Sequence, residues 1–264
     1  MYIFELTKPG VWLDGFADTD EQREVESLLH LLTTCVNDAA VSLWLFESAQ
    51  GAQAAAEDPA AKWEADRERE SRIQATLERE LPANLSPEDR FAASVRVRDE
   101  ARIQARREGW ANGEVPRSYV NRVPFVHAKS CLYALDTLHK ALKLLSQKAS
   151  APSGVRSSLQ AFEAAFPSLR DVRNSAHHVE DRIQGKHYDK TISLQPIVNP
   201  AISALAGGVL VVDLLSGNRY GGTLADGSFG EVEVSQTSVA TATRVAQDVL
   251  NSYRWRGPAE QLPY

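Results

Sequence analysis

Apolar residues recur at alternating steps of four and three through much of the first half of this chain. Val25, Leu29, Leu32, Val36, Ala39, Leu43 and Phe46 form one such series. On an α-helix these positions share a single stripe. They predict a long buried-face helix starting near Thr19-Asp20, where a cap-forming residue is followed by acids. A second series, Ala128, Cys131, Leu135, Leu138, Leu142 and Leu145, predicts another helix over 124–147. Two such seams are suited to pack at a shallow angle. Between them, residues 59–110 carry dense charge of mixed sign and only sparse apolar positions, among them Trp63, Ile73, Leu77, Phe91, Val95 and Ile103. This segment reads as two solvated helices broken at 82–86, the second opened by Ser86-Pro87-Glu88-Asp89. Its charges read as a wet helix face laced with i,i+4 pairs; because acids and bases alternate, a nucleic-acid-binding arm is the weaker reading.

The remaining elements follow from breaks and periods. The first fifteen or so residues contain Pro9, Gly10 and Gly15 and predict an irregular arm. The run 150–154 ends the second seam. A shorter helix follows over 155–166, and Pro167-Ser168 restarts the chain into a further helix. After Gly185 the texture becomes β-like. Strands are expected at 209–215, 219–224 and 229–234, with turns at Gly217-Asn218 and Asp226-Gly227, before a last helix at 237–253. The predicted class is mainly α: an up-and-down helical bundle with a small C-terminal antiparallel β-meander and a final helix. The expected division is a bundle over 1–188, carrying a charged helical insertion at about 57–110, and a meander plus helix over 189–264 packed on it. The alanine-biased stretch 52–61 is too short to be a low-complexity segment.

Composition narrows the setting. The net charge is −6 and the pI about 5.6. A nucleic-acid coat protein carries a basic excess, so tight, indiscriminate RNA binding is disfavoured and only a local basic patch remains. The best uninterrupted apolar run, 204–212, contains Gly207 and Gly208, is closed by Asp213 and is short for a membrane span. Glu5 and Lys8 interrupt any basic-then-apolar leader. Cys35 and Cys131 fall within amphipathic helices and read as buried thiols of a reducing compartment. A cytoplasmic protein with no membrane partner is expected.

One stretch points directly at chemistry: Arg173-Asn174-Ser175-Ala176-His177-His178. RNA strand cleavage without metal needs a base for the 2′-hydroxyl proton, a cation for the charge building on the phosphate and an acid for the leaving 5′-oxygen. Histidine suits the proton-transfer roles because it titrates near neutrality. Arginine suits the phosphate because its planar fork stays charged. On a continuous helix Arg173 and His177 share a face, while Arg173 and His178 diverge by about 140°. The latter pair converges on one phosphate if the helix ends nearby or a second subunit completes the site.

The stretch resembles the RNxxxH form of the Arg-x(4–6)-His motif of HEPN domains, which Arg173, Asn174 and His178 match outright. The doubled histidine leaves a second register, Arg170 with His177, but Asn174 fits only the first. The resemblance implies a metal-independent endoribonuclease in a toxin–antitoxin or phage-defence setting. It also implies a homodimer whose two motifs face one cleft, RNA as substrate and an antitoxin or other regulatory protein as partner. Arg173 would hold the phosphate, His178 would act as acid or base, Asn174 would orient the site and His177 is the reserve histidine. Arg170 and Arg182 are the expected substrate-binding rim; for His187, near Lys186 and Lys190, a solvated loop after the helix is the stronger reading and an extension of that rim the weaker one.

Other chemistries fare worse. His177 and Asp181, with Glu180, make an i,i+4 metal pair that lacks an obvious third ligand, so no metal and no cofactor are expected. His30, His127 and His139 lie inside predicted helices. Gly207-Gly208 and Gly221-Gly222 lack the lysine and helix of a phosphate loop. The competing functional class is a non-catalytic dimeric helical scaffold that binds a partner protein or nucleotide.

Overall fold

The structure of the protein is a computed structural model and describes residues 2–54, 58–199, 202–204 and 207–263. Parts of the 52–61 and 204–212 stretches lie outside the described residues. The elements run, in order, β1 (Leu6–Lys8), β2 (Trp12–Leu13), α1 (Thr19–Ala54), α2 (Pro59–Arg79), α3 (Pro87–Ala111), α4 (Arg117–Ser146), α5 (Ser153–Ala165), α6 (Leu169–His177) and α7 (Val179–Ile183). There follow β3 (Lys186–His187), β4 (Lys190–Thr191), β5 (Ile197–Val198), β6 (Ser203–Ala204), β7 (Leu214–Ser216), β8 (Arg219–Thr223), β9 (Phe229–Glu233), α8 (Gln236–Ser252), β10 (Trp255–Arg256) and β11 (Glu260–Leu262). The fold is mainly α, with a three-stranded antiparallel meander β7-β8-β9 before the last helix.

The chain forms two compact units, residues 1–48 with 124–264 and residues 49–123. The expected division at 188 is therefore not a boundary: the meander and α8 belong to the same unit as the bundle. Burial explains this. α8 contributes Val239, Ala242, Val245, Ala246, Val249 and Leu250 to the same core as the α1 and α4 seams. Both seams are buried as the periodicity requires, from Val25 to Phe46 on α1 and from Ala128 to Leu145 on α4. α1 also contains an 18-residue window of mean hydropathy 1.3, long and apolar enough by composition to cross a membrane, and 44% of that window is buried inside the protein. No such stretch stood out as an uninterrupted run, because polar residues space the apolar stripe.

The structure departs from expectation at three places. The N-terminal arm is not irregular: β1 pairs with β11 and β2 with β10, both antiparallel, so the two ends of the chain hold each other. Such long-range pairs leave no local signature. Second, α4 begins at Arg117, seven residues before Pro124, which sits inside the helix. A proline removes one helical hydrogen bond, and here the neighbouring turns continue through it. Third, the first meander strand is confined to Leu214–Ser216, because Asp213 adopts φ 61° and breaks the extended run. Val211 still bonds the next strand, accepting from the Thr223 amide at 2.8 Å.

In residues 49–123, α2 packs on α3. Ala93, Val97, Ala101, Ala105 and Gly109 form the buried face of α3. As expected, Ser86 caps α3, its side chain accepting from the Asp89 amide at 3.1 Å.

Candidate functional site

The motif occupies α6 and the break after it. Pro167 ends the preceding segment, and Leu169, Val172 and Ser175 form the buried side of α6. Apolar burial at this three-residue spacing pins the helix against β8 and β9. It turns Arg173, Asn174 and His177 away from the core. At His178 the backbone leaves the helix (φ −103°, ψ 49°) while its amide still donates to the Asn174 carbonyl at 3.0 Å. Val179 then starts α7, whose Arg182 amide donates back to the His178 carbonyl at 3.2 Å. The helix thus ends at the motif histidine, one of the two conditions under which Arg173 and His178 converge.

Arg173 is anchored on α4. Its Nε lies 2.8 Å from Oδ2 of Asp136, a carboxylate only 2% exposed. The approach is off the N–H axis, so this is an ion contact without an aligned hydrogen bond. Lys140, one turn along α4, reaches the same Oδ2 at 2.7 Å. The guanidinium also donates from Nη1 to Asn174 Oδ1 at 3.0 Å and stands 5.9 Å from the ring centre of Tyr133. The asparagine therefore orients the arginine directly. Asp136 is thus one buried acid shared by two cations.

The histidines complete the cluster. His177 meets Tyr133 edge-on at 6.5 Å between ring centres and His178 at 4.9 Å. Both histidines are exposed. His178 Nδ1 lies 3.7 Å from Glu180, a pair largely in solvent. Tyr133 is half-buried; burial pushes its phenol up, Arg173 pulls it down and Asp136 adds to the rise. Arg173, Asn174, His177, His178 and Tyr133 thus lie together at one surface, with Asp136 and Lys140 behind them.

Tyr133, Asp136 and Lys140 were not anticipated. Their spacing of three and four marks one side of α4, and an aspartate inside the run Leu132-Tyr133-Ala134-Leu135-Asp136 is the legible signal. A buried acid in an apolar seam requires a cationic partner.

Two expectations need correction. Arg182 does not join a substrate rim: it is 2% exposed, and its guanidinium donates to Ser175 Oγ at 3.3 Å and to the Lys186 carbonyl at 2.7 Å. It braces α7 against α6 and β3. His177 and Asp181 are not one turn apart on a single helix, because the break at His178 separates them. Among the described residues no three His, Cys, Asp or Glu side chains gather as a metal-binding group. Arg170 is exposed on α6, and Lys190 is exposed on β4. His187 stacks near Tyr188, its ring 4.6 Å away. His139 serves packing: it lies 2.9 Å from Glu163 and stacks on Phe162. Gly221-Gly222 lie within β8, not in a phosphate-binding turn.

A hollow of about 200 Å³ lies elsewhere in this unit, between the α5–α6 junction, β9 and α8, and none of the motif side chains lines it. Compared with known proteins, the chain matches no protein-family model, no curated protein and no solved structure.

Proposed function

We propose that the chain is a HEPN-like, metal-independent endoribonuclease acting in the cytoplasm, in a toxin–antitoxin or phage-defence setting. The observation that carries the reading is the gathering of Arg173, Asn174 and two exposed histidines at one surface where α6 ends. In this reading the Arg173 guanidinium, aimed by Asp136 and Asn174, neutralises the scissile phosphate. His178 takes the 2′-hydroxyl proton; the 2′-oxygen attacks phosphorus, the bond to the 5′-oxygen breaks, and a protonated histidine supplies the proton to that leaving oxygen. The products are a 2′,3′-cyclic phosphate and a 5′-hydroxyl. His177 stands beside His178 as the second proton carrier, and Arg170 is the remaining candidate for the substrate rim. In this reading the chain is a homodimer in which a second copy completes the cleft, with an antitoxin or other regulatory protein as a further partner.

The test expresses wild type beside Arg173→Ala, His177→Ala and His178→Ala, following growth and incubating each purified protein with RNA in chelator. Wild type slows growth and yields cyclic-phosphate ends. Loss of the arginine or the working histidine lowers the rate by about a hundredfold or more. A wild type that neither cleaves RNA nor slows growth in any context sinks the catalytic reading.

A second reading has its own observation. The contact of Arg173 with buried Asp136 also suits an arginine kept to neutralise an acid, in a dimeric scaffold that binds a partner protein or nucleotide. It predicts that Arg173→Ala lowers stability and that no variant alters RNA.

A further inference from the structure

The charged helices α2 and α3 do not have equivalent faces. The sequence from 58 to 123 is balanced, with thirteen basic and thirteen acidic residues. The fold sorts these charges. Glu108 of α3 receives Arg72 of α2 at 2.5 Å, and Glu114 receives Arg69 at 2.5 Å and Lys62 at 3.2 Å. Arg102 lies between Glu70 at 3.8 Å and Asp99 at 3.7 Å, and Glu100 accepts from Gln104 at 2.9 Å. Glu108 and Glu114 thus face cations of α2, Glu70 and Asp99 share Arg102, and Glu100 is paired with an amide instead of a cation. Arg96, Arg98, Arg106 and Arg107 are exposed and make no side-chain ion pair or hydrogen bond among the described residues.

The buried face of α3, from Ala93 through Ala101 to Gly109, fixes what points outward. At 3.6 residues per turn, Arg96, Ile103, Arg107 and Trp110 fall on one line opposite that face, with Arg106 beside it. The line is about 21 Å long at 1.5 Å per residue. Ile103 is 43% exposed and Trp110 50% exposed. Twelve of the chain's twenty-one arginines lie between 58 and 123, with Lys62 the one lysine there. That bias matters because the guanidinium matches phosphate in two-pronged fashion and stacks on bases, which an ammonium does not. Unpaired guanidiniums followed on the same line by one exposed indole are what a single strand offers partners for: phosphates to the cations and a base face to the ring.

We propose that this outer face of α3, built from Arg96, Ile103, Arg106, Arg107 and Trp110, binds single-stranded RNA. Nucleic-acid binding here does not depend on the motif; the choice of RNA over DNA rests on the endoribonuclease reading. With a chain net charge of −6, the attraction is confined to this patch, so binding is moderate and strongly salt-dependent.

The experiment uses the full chain and fluorescence anisotropy of a short, mixed-sequence 2′-O-methyl RNA, which 2′-hydroxyl attack cannot cleave, over a range of KCl concentrations. The double variant Arg96→Gln/Arg107→Gln is expected to bind at least tenfold more weakly. Its log–log salt slope falls by about 1.4, since each lost phosphate contact removes about 0.7 on a single strand. Trp110→Ala weakens binding about tenfold and leaves the slope unchanged. Arg79→Gln, at the end of α2, is the control and binds as wild type. All these side chains are exposed, and circular dichroism verifies folding. No binding by wild type, wild-type affinity in the double variant, or equal loss in the control overturns the proposal. So does tighter binding of the matching DNA, or equal competition by polyglutamate with no effect of Trp110→Ala. Binding by a wild type that neither cleaves RNA nor slows growth in any context leaves this surface standing and removes the nuclease reading; cleavage with no effect of these variants does the reverse.

Discussion

Asp136 is the residue on which the motif's geometry rests, and replacing it with alanine yields a quantitative prediction. The carboxylate is 2% exposed and serves two cations, Arg173 at 2.8 Å and Lys140 at 2.7 Å. Removing one partner of a fully buried pair costs about 3–5 kcal/mol, because the other charge is stranded. Here the stranding is partial. The Lys140 side chain is 53% exposed and turns to water at little cost. The Arg173 side chain is 21% exposed and keeps Asn174. The expected loss is therefore about 2–3 kcal/mol. For a domain of this size that lowers the melting temperature by about 4–12 °C. Thermal unfolding by circular dichroism of Asp136→Ala reads this directly. The double variant Asp136→Leu/Arg173→Met removes both charges and recovers most of the loss, since an apolar pair of similar volume is tolerated where half an ion pair is not. In the endoribonuclease reading it stays inactive. A melting temperature for Asp136→Ala within about 1 °C of wild type would refute the reasoning, because the buried contact would then carry no net energy in solution.

Two further outcomes are expected. Arg182→Ala leaves a cavity and an unpaired Lys186 carbonyl, so it destabilises by about 2–4 kcal/mol in urea unfolding; Arg182→Lys recovers little of this, because an ammonium does not reproduce the fork to Ser175 and Lys186. Tyr253→Phe removes a buried hydroxyl that has no hydrogen-bond partner among the described residues. Burial, with the charge of Glu21 adding to it, pushes that phenol from 10.0 up to about 12. A proton held more tightly in the folded chain lends stability below pH 10, and that stability is lost as pH climbs towards about 12. Urea unfolding should therefore show Tyr253→Phe equal to or more stable than wild type at neutral pH, with a shallower alkaline decline. Some decline persists, because burial also raises the thiols of Cys35, to about 11, and Cys131, to about 12. An unchanged alkaline profile would contradict the assignment.

Local periodicity sufficed for the two long buried seams. The stripe from Val25 to Phe46 and the series from Ala128 to Leu145 are buried as their spacing demands, and Ser86 and the Gly217 turn stand where cap and turn chemistry place them. A 3.6-residue repeat is written over neighbouring residues, so one window of sequence contains it. The motif was legible for the same reason, since Arg173, Asn174 and His178 are close in the chain.

What no window contained was anything set by distant contacts. The arm at residues 6–13 became strands because residues 255–262 return to pair with it. Arg170 and Arg182 looked alike as basic residues flanking the motif, yet folding exposes the first and buries the second. The alternating charges of 59–110 looked uniformly solvated until helix packing spent acids between α2 and α3 and left one arginine-rich face outward. Asp136 is separated from Arg173 by 37 positions, and only the packing of α6 beside α4 makes them a pair. Periodicity records which way a side chain faces on its own element; burial and charge pairing depend on what another element brings against it, and that is a property of the folded chain.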